Sequence, residues 1–247
     1  VRRRQRRIRI GGTEMLVIDL TLPLREDVEP YPGDPRPRKK VFSAIKTSGC
    51  QHHLYTLSDH SFRPHGDAPR HQNPSLQKKG FEVFDIGFSF NHACMIDLSG
   101  MPEAAGDGGI RWLVEVEERH LIPHASLIAK RRAVVIRTGY DRWLEANRPH
   151  RRKNIPYLSK GAARMLAGLK NLRVIGTDSL TVDAQGSRYV HQKFKDRLIV
   201  ESMVNLYSIP KANRLAFDLQ TSPIAIVGST GGPVAAYAFI KTKKAGL

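Results

Sequence analysis

SDHSFRPHGDAPRH, residues 58–71, sets three histidines (His60, His65 and His71) and two aspartates (Asp59 and Asp67) around two prolines and one glycine. Pro69 forces the residue before it, Ala68, out of the helical region, so HGDA reads as extended chain. In extended chain, residues two apart project to the same side, which pairs His65 with Asp67. A neutral imidazole beside a carboxylate is the start of a site for a divalent ion such as zinc or manganese. Pro69 also suits the first residue of a helical turn, which sets His71 just beyond the pair rather than beside it.

Further ligands must come from elsewhere in the chain. Cys50 and Cys94 stand 44 positions apart with no CxxC spacing, so both read as buried thiols rather than a zinc or redox pair. Glu201 lies in LIVESMVNL, where a carboxylate among Leu198, Ile199, Val200, Met203 and Val204 is costly to bury unless paired or coordinated. A period-2 reading that turns it to solvent stays open. His191, ten residues earlier, is placed to meet Glu201 across a turn.

Working outward, MLVIDLTL (15–22), VFSAI (41–45), HHLYTLS (52–58) and HACMIDLS (92–99) read as strands, separated early on by the Pro-rich EPYPGDPRPRKK. Beyond residue 110, WLVEVEERHL reads as a short helix and RRAVVIRTGY as a strand. SKGAARMLAGLK (159–170) has a Ser N-cap and apolar residues at i, i+3, i+4 and i+7, the pattern of an amphipathic helix. NLRVIGTDS, LIVESMVNL, SPIAIVG and PVAAYAFI follow as strands. Asp178 and Ser179 fit a strand-to-loop turn, Gly231 and Gly232 a tight turn, and Phe88 and Phe90 the core. Strands with interspersed helices and no repeat indicate a mixed α/β domain.

Lys and Arg number 40 against 23 Asp and Glu, a formal charge of +17. Residues 1–14 carry six Arg and one Glu, net +5, which leaves +12 spread over the rest. The first fourteen residues read as a basic, disordered extension ahead of a domain spanning 15–247, with Met15 as a natural start. No apolar run approaches the ~18 residues that span a bilayer, and the expected compartment is the cytoplasm. Nucleic-acid association through the arginine arm ranks last, because no recognisable nucleic-acid module accompanies it.

The order of motifs resembles the cyclase-like metal-dependent hydrolases, the family of bacterial kynurenine formamidase and isatin hydrolase. IDLTLPL and YPGDP come near the start, and SFRPHGDAPRH (61–71) stands where that family carries HxGTHxDxPxH. VVIRTGY, PYLSKGAARML, VIGTDSLTVD, a His ahead of IVESMVNL, and GGPVAAYAFI follow in order from Met15 to Lys241. The resemblance implies a single α/β domain of mixed sheet with flanking helices, the swivelling β/β/α fold.

It also implies a metal site of His65, Asp67, His191 and Glu201, with His71 as proton donor and acceptor and Tyr31 as a substrate-contacting aromatic. The family's first His aligns with Ser61, and its Gly-Thr becomes Arg63-Pro64. Either His60 takes that ligand's place with one extra residue in the loop, or the ligand is absent; Asp59 is a further candidate. Arg63 intrudes near the mouth as a substrate-binding residue. The implied activity is hydrolysis of a small amide, an aryl formamide or a cyclic amide, by water activated on a zinc or manganese ion in a homodimer. The alternative is a binding protein on the same scaffold with a degenerate metal motif.

Overall fold

The computed structural model describes residues 4–242. Nine strands form one sheet: β1 (Gln5–Ile10), β2 (Thr13–Asp19), β3 (His65–Asp67), β4 (Phe90–Asp97), β5 (Ala133–Arg137), β6 (Val174–Thr177), β7 (Leu198–Glu201), β8 (Phe217–Pro223) and β9 (Gly231–Lys241). Their order is β1-β2-β9-β8-β4-β5-β6-β7-β3, and β3 pairs back onto β9, so seven of the nine close into a barrel-like ring. β4 through β7 run parallel; the other pairings are antiparallel.

The parallel strands are buried on both faces, which is why they read as near-continuous apolar runs. Their period of two divides them between two cores. Ala93, Met95, Val135, Val174, Leu198 and Val200 face a cluster inside the ring with Ile18, Ala236 and Ala238. Cys94, Ile96, Val134, Ile136, Ile175 and Ile199 face outward against Ala162, Ala163 and Leu166 of helix α1 (Lys160–Ala167). The Ser159 side chain accepts the Ala162 N–H, capping α1 as its sequence pattern requires.

Several elements differ from expectation. The arginine-rich segment is ordered from residue 4: β1 pairs with β2 through a two-residue turn in which Gly11 and Gly12 take φ of 53° and 78°, the geometry that joins a twisted hairpin. Residues 1–3 of that expected arm, and 243–247 of the expected 15–247 domain, lie outside the described residues. Within WLVEVEERHL only Glu118–Leu121 is helical, because Glu115 and Val116 pair with Tyr157 and Leu158. SPIAIVG is not a strand beyond Pro223: Ile224 and Val227 are exposed in the β8–β9 connection, and β8 begins earlier at Phe217. Gly231 and Gly232 are strand residues of β9 rather than a turn. Phe90 is exposed, whereas Phe88 packs on the core, and of the cysteines only Cys94 is buried.

Candidate metal centre

β3 is only three residues long, yet its register fixes the site. It lies antiparallel between β7 and β9, with His65 opposite Glu201 and Asp67 opposite Ile199. Directly opposed residues share a face, so His65, Asp67 and Glu201 project together while Gly66 faces into the ring. A Cβ on Gly66 would lie 2.8 Å from the Phe81 ring, so only glycine lets β3 seat against the inner core.

The other donors converge on this face. His65 Nε2 lies 3.4 Å from Glu201 Oε2 and 3.7 Å from Asp67 Oδ1. Its Nδ1 donates to the Phe62 carbonyl at 3.0 Å, which leaves Nε2 as a free lone pair. His60 Nε2 is 3.2 Å from Asp67 Oδ1, and its Nδ1 is 2.8 Å from Asp59 Oδ1. His191, on helix α2 (Tyr189–Lys193), places Nε2 2.9 Å from Asp67 Oδ2 and 3.6 Å from Glu201 Oε1. His60 thus lies in the same cluster as His65 and Asp67, and Asp59 grips its far nitrogen.

Gly231 makes room for this arrangement, since a Cβ there would stand 2.8 Å from His60 Nε2. The expectation that Glu201 could face solvent is corrected: it is 3% exposed, and the Val182 N–H donates to its Oε1.

Two groups that sequence reading missed hold the ligands in place. Asp183 Oδ2 lies 2.7 Å from His191 Nδ1, and the same carboxylate accepts the N–H groups of Val190 and His191 and the Ser187 hydroxyl. A carboxylate behind a ligating histidine fixes its tautomer and raises its basicity. The Phe62 carbonyl fixes the tautomer of His65. Asp183 lies within the VIGTDSLTVD motif, but nothing in its local pattern aims it at a residue eight positions away.

The electrostatics are those of a cluster built for a cation. Burial opposes charge on His60, yet the carboxylates of Asp59 and Asp67 outweigh it and raise the imidazole to about 10. Burial likewise opposes charge on His191, and Asp183 and Asp67 raise it to about 10. Burial works to raise Asp67, but the hydrogen bond from His191 and the close His60 imidazole hold it well below the ordinary carboxylate range. Glu201 is raised by its burial and by the Asp67 charge.

His60 Nε2 and Asp67 Oδ1 face each other at 3.2 Å as a buried ion pair, yet neither atom makes a well-aligned hydrogen bond. A divalent cation satisfies both at once, and imidazoles with carboxylates form a donor set that suits it. Single ligand atoms of His60, His65 and Asp67 lie within 4.8 Å of one another, as do those of Asp67, His71 and His191.

The remaining expected residues surround one cavity of about 320 Å³, whose walls include Tyr31, Arg63, His60, His65, His71, His191 and Glu201. Asp67 sits behind them. The His71 ring is 4.3 Å from that of His60 and 5.5 Å from that of His191. Burial, reinforced by the neighbouring histidines and opposed by Asp67, lowers His71 to about 4, so its ring is neutral at pH 7. Asp178, expected in a simple turn, is fully buried and ties two strands together by accepting the Thr138 and Gly139 N–H groups.

The fold is shared with known proteins. The Cyclase family model matches residues 18–184, and the chain belongs to that family. Kynurenine formamidase of Bacillus thuringiensis is 26% identical over 230 residues, covering 89% of this chain and 95% of that protein. The Bacillus mycoides kynurenine formamidase is 27% identical over the same coverage. Among solved structures, isatin hydrolase A from Labrenzia aggregata bound to benzyl benzoate superposes with a TM-score of 0.73 at 21% identity, over 92% of this chain and 94% of that one. A predicted metal-dependent hydrolase from Bacillus stearothermophilus gives a TM-score of 0.66 at 16% identity, over 91% of this chain and 98% of that one.

Proposed function

We propose that this protein is a metal-dependent hydrolase that cleaves the C–N bond of a small amide, an aryl formamide or a cyclic amide. The observation that carries this reading is the convergence of His60, His65, Asp67, His191 and Glu201 on one buried cluster beside the cavity, where His60 Nε2 and Asp67 Oδ1 stand 3.2 Å apart with no well-aligned hydrogen bond. The kynurenine formamidase and isatin hydrolase relatives support the substrate class.

His60, His65, Asp67, His191 and Glu201 would hold the ion, zinc or manganese. Bound there, a divalent cation supplies Lewis-acid polarisation of a carbonyl and lowers the pKa of water from 15.7 toward ~7. The chain's own residues supply the proton handling. His71 is neutral and takes a proton from the attacking water at a ring nitrogen. It returns that proton to the departing nitrogen as the C–N bond breaks, leaving a carboxylate and an amine. Amines leave poorly without that proton. Tyr31, half-buried on the cavity wall, offers an aromatic face to an aryl substrate.

The alternative, a binding protein with a degenerate motif, is not favoured, because His60 stands within reach of His65 and Asp67 and the relatives are hydrolases. The hairpin formed by residues 38–43 and 52–56 exposes Val41, Phe42, Leu54 and Tyr55, which supports a homodimer that covers them. The free thiols Cys50 and Cys94 support a reducing, cytoplasmic location. Among the described residues no helix is long and apolar enough to cross a membrane.

Metal analysis of the purified protein, with a hydrolysis screen over aryl formamides and lactams before and after chelation, tests the reading. Bound zinc or manganese with chelator-sensitive release of formate or a ring-opened acid is expected. A folded protein that takes up neither metal would sink it.

A further inference from the structure

Arg63 is buried beside the metal cluster without a counter-ion. Its side chain belongs to the loop joining His60 to His65, and its backbone is pinned, with the Arg63 carbonyl accepting the Leu22 N–H at 2.7 Å. The residue is only 7% exposed. One terminal nitrogen, Nη2, donates to the Glu29 carbonyl and stands 3.3 Å from His150 Nε2. The other, Nη1, is buried and has no partner among the described residues. No carboxylate among the described residues forms an ion pair with it.

The groups that Arg63 does meet are uncharged. His150 lies between the guanidinium and the Tyr140 hydroxyl, 2.8 Å from its Nδ1, and burial together with Arg63 pushes this imidazole down to about 3. A guanidinium is a cation at neutral pH, and the nearby Glu29 carboxylate pairs with Arg36 rather than with Arg63. Burying an unpaired charge is destabilising. A protein retains one where a ligand supplies the missing partner, and functional sites concentrate such groups.

Arg63 lines the same cavity of about 320 Å³ as His60, His65 and His71. The acidic residues on that wall do not compete for it: Glu201 faces His65 and His191, and Asp34 sits at the exposed mouth.

We infer that Arg63 is the receptor for a carboxylate carried by the substrate, so that the amide cleaved is one bearing an acid group. The cleavage half of this inference rests on the proposed hydrolase reading; the carboxylate site does not. A guanidinium presents planar, forked donors that match a carboxylate, and desolvation strengthens the contact.

The test compares binding of benzoate and of its neutral analogue benzamide to the protein as purified, by calorimetry, in the wild type, Arg63→Gln and Arg63→Lys. Wild type should bind benzoate more tightly than benzamide by about 10-fold or more, the size of one charge-assisted contact. Arg63→Gln should remove that preference without changing benzamide affinity, and Arg63→Lys should restore part of it. Wild-type indifference between the two ligands overturns the inference even if the variants fail to fold, and so does benzoate binding that survives Arg63→Gln.

Kinetics separate the two readings. In Arg63→Gln, kcat/KM should fall further for N-formylanthranilate than for formanilide, through KM; equal losses on both would overturn the site. Arg63-dependent benzoate binding in a protein that hydrolyses no amide would support the carboxylate site and sink the hydrolase reading.

Discussion

His60 Nε2 and Asp67 Oδ1 lie 3.2 Å apart, both buried, in an ion-pair contact that makes no well-aligned hydrogen bond. A divalent cation held between them would give each atom a better-directed partner. Adding zinc or manganese to chelator-treated protein should therefore raise its melting temperature. At about 100 times the dissociation constant the gain is about 2.7 kcal/mol. For a chain of this size that is about 5–10 °C, readable by scanning calorimetry. A melting point unmoved by either metal would show that the cluster closes on itself.

The same cluster sets the pH dependence of the metal-free protein. His60 and His191 are raised to about 10 by the carboxylates around them, so the folded state holds protons that the unfolded chain releases above about 6.5. Their contribution is complete below pH 6.5 and is lost as pH rises through 10. His71 and His150, lowered by burial to about 4 and about 3, act in the opposite sense. Their contribution is complete above 6.5 and is lost as pH falls through 4 and 3. Urea denaturation of chelator-treated protein should give a stability maximum near pH 6.5. Metal loading should abolish the alkaline loss, because the cation replaces the protons.

Gly231 is the residue that lets His60 reach the cluster. A Cβ there would meet His60 Nε2 at 2.8 Å and the Gly66 carbonyl at 2.7 Å, and the backbone cannot yield without disturbing the β3–β9 pairing. Gly231→Ala should lower metal affinity by about 10–100-fold, the scale of losing support for one ligand. It should also cost about 1–3 kcal/mol of stability through overcrowding. Metal titration and calorimetry read the two effects separately.

How much of this was legible in the chain depends on distance. His65 and Asp67 were readable because Pro69 extends the backbone and period two does the rest. α1 was readable from its Ser159 cap and apolar spacing. Glu201 was marked by the apolar run around it, yet only the opposition of β7 and β3 shows that it faces His65. β1 was hidden because six arginines masked a hairpin whose signal was the Gly11-Gly12 pair. Asp183 was not legible at all: it reaches His191 only because α2 turns its N-terminal N–H groups and its histidine toward one carboxylate.

That carboxylate gives a prediction of its own. Asp183→Asn keeps the shape and removes the charge that fixes the His191 tautomer. Metal affinity should fall by about 10–100-fold with the fold retained. Unchanged affinity on direct titration would mean that His191 is oriented by the helix alone.

His71 stands apart from the ligands in what its loss should do. It lines the cavity, half-buried, and burial keeps its ring neutral at pH 7, so that a ring nitrogen is free to accept a proton. A positioned acid–base group of this kind contributes about 10²–10⁴-fold to rate. Asn in its place retains a hydrogen-bonding amide but cannot carry a proton at neutral pH. His71→Asn should lower kcat by that range while metal content and KM stay near wild type. The ligand variant His65→Ala should lose metal and activity together. Metal loss in His71→Asn would move His71 into the ligand set with Asp67 and His191, whose donor atoms already lie within 4.8 Å of it. Turnover that survived with metal retained would leave the proton to be carried by solvent through the open cavity.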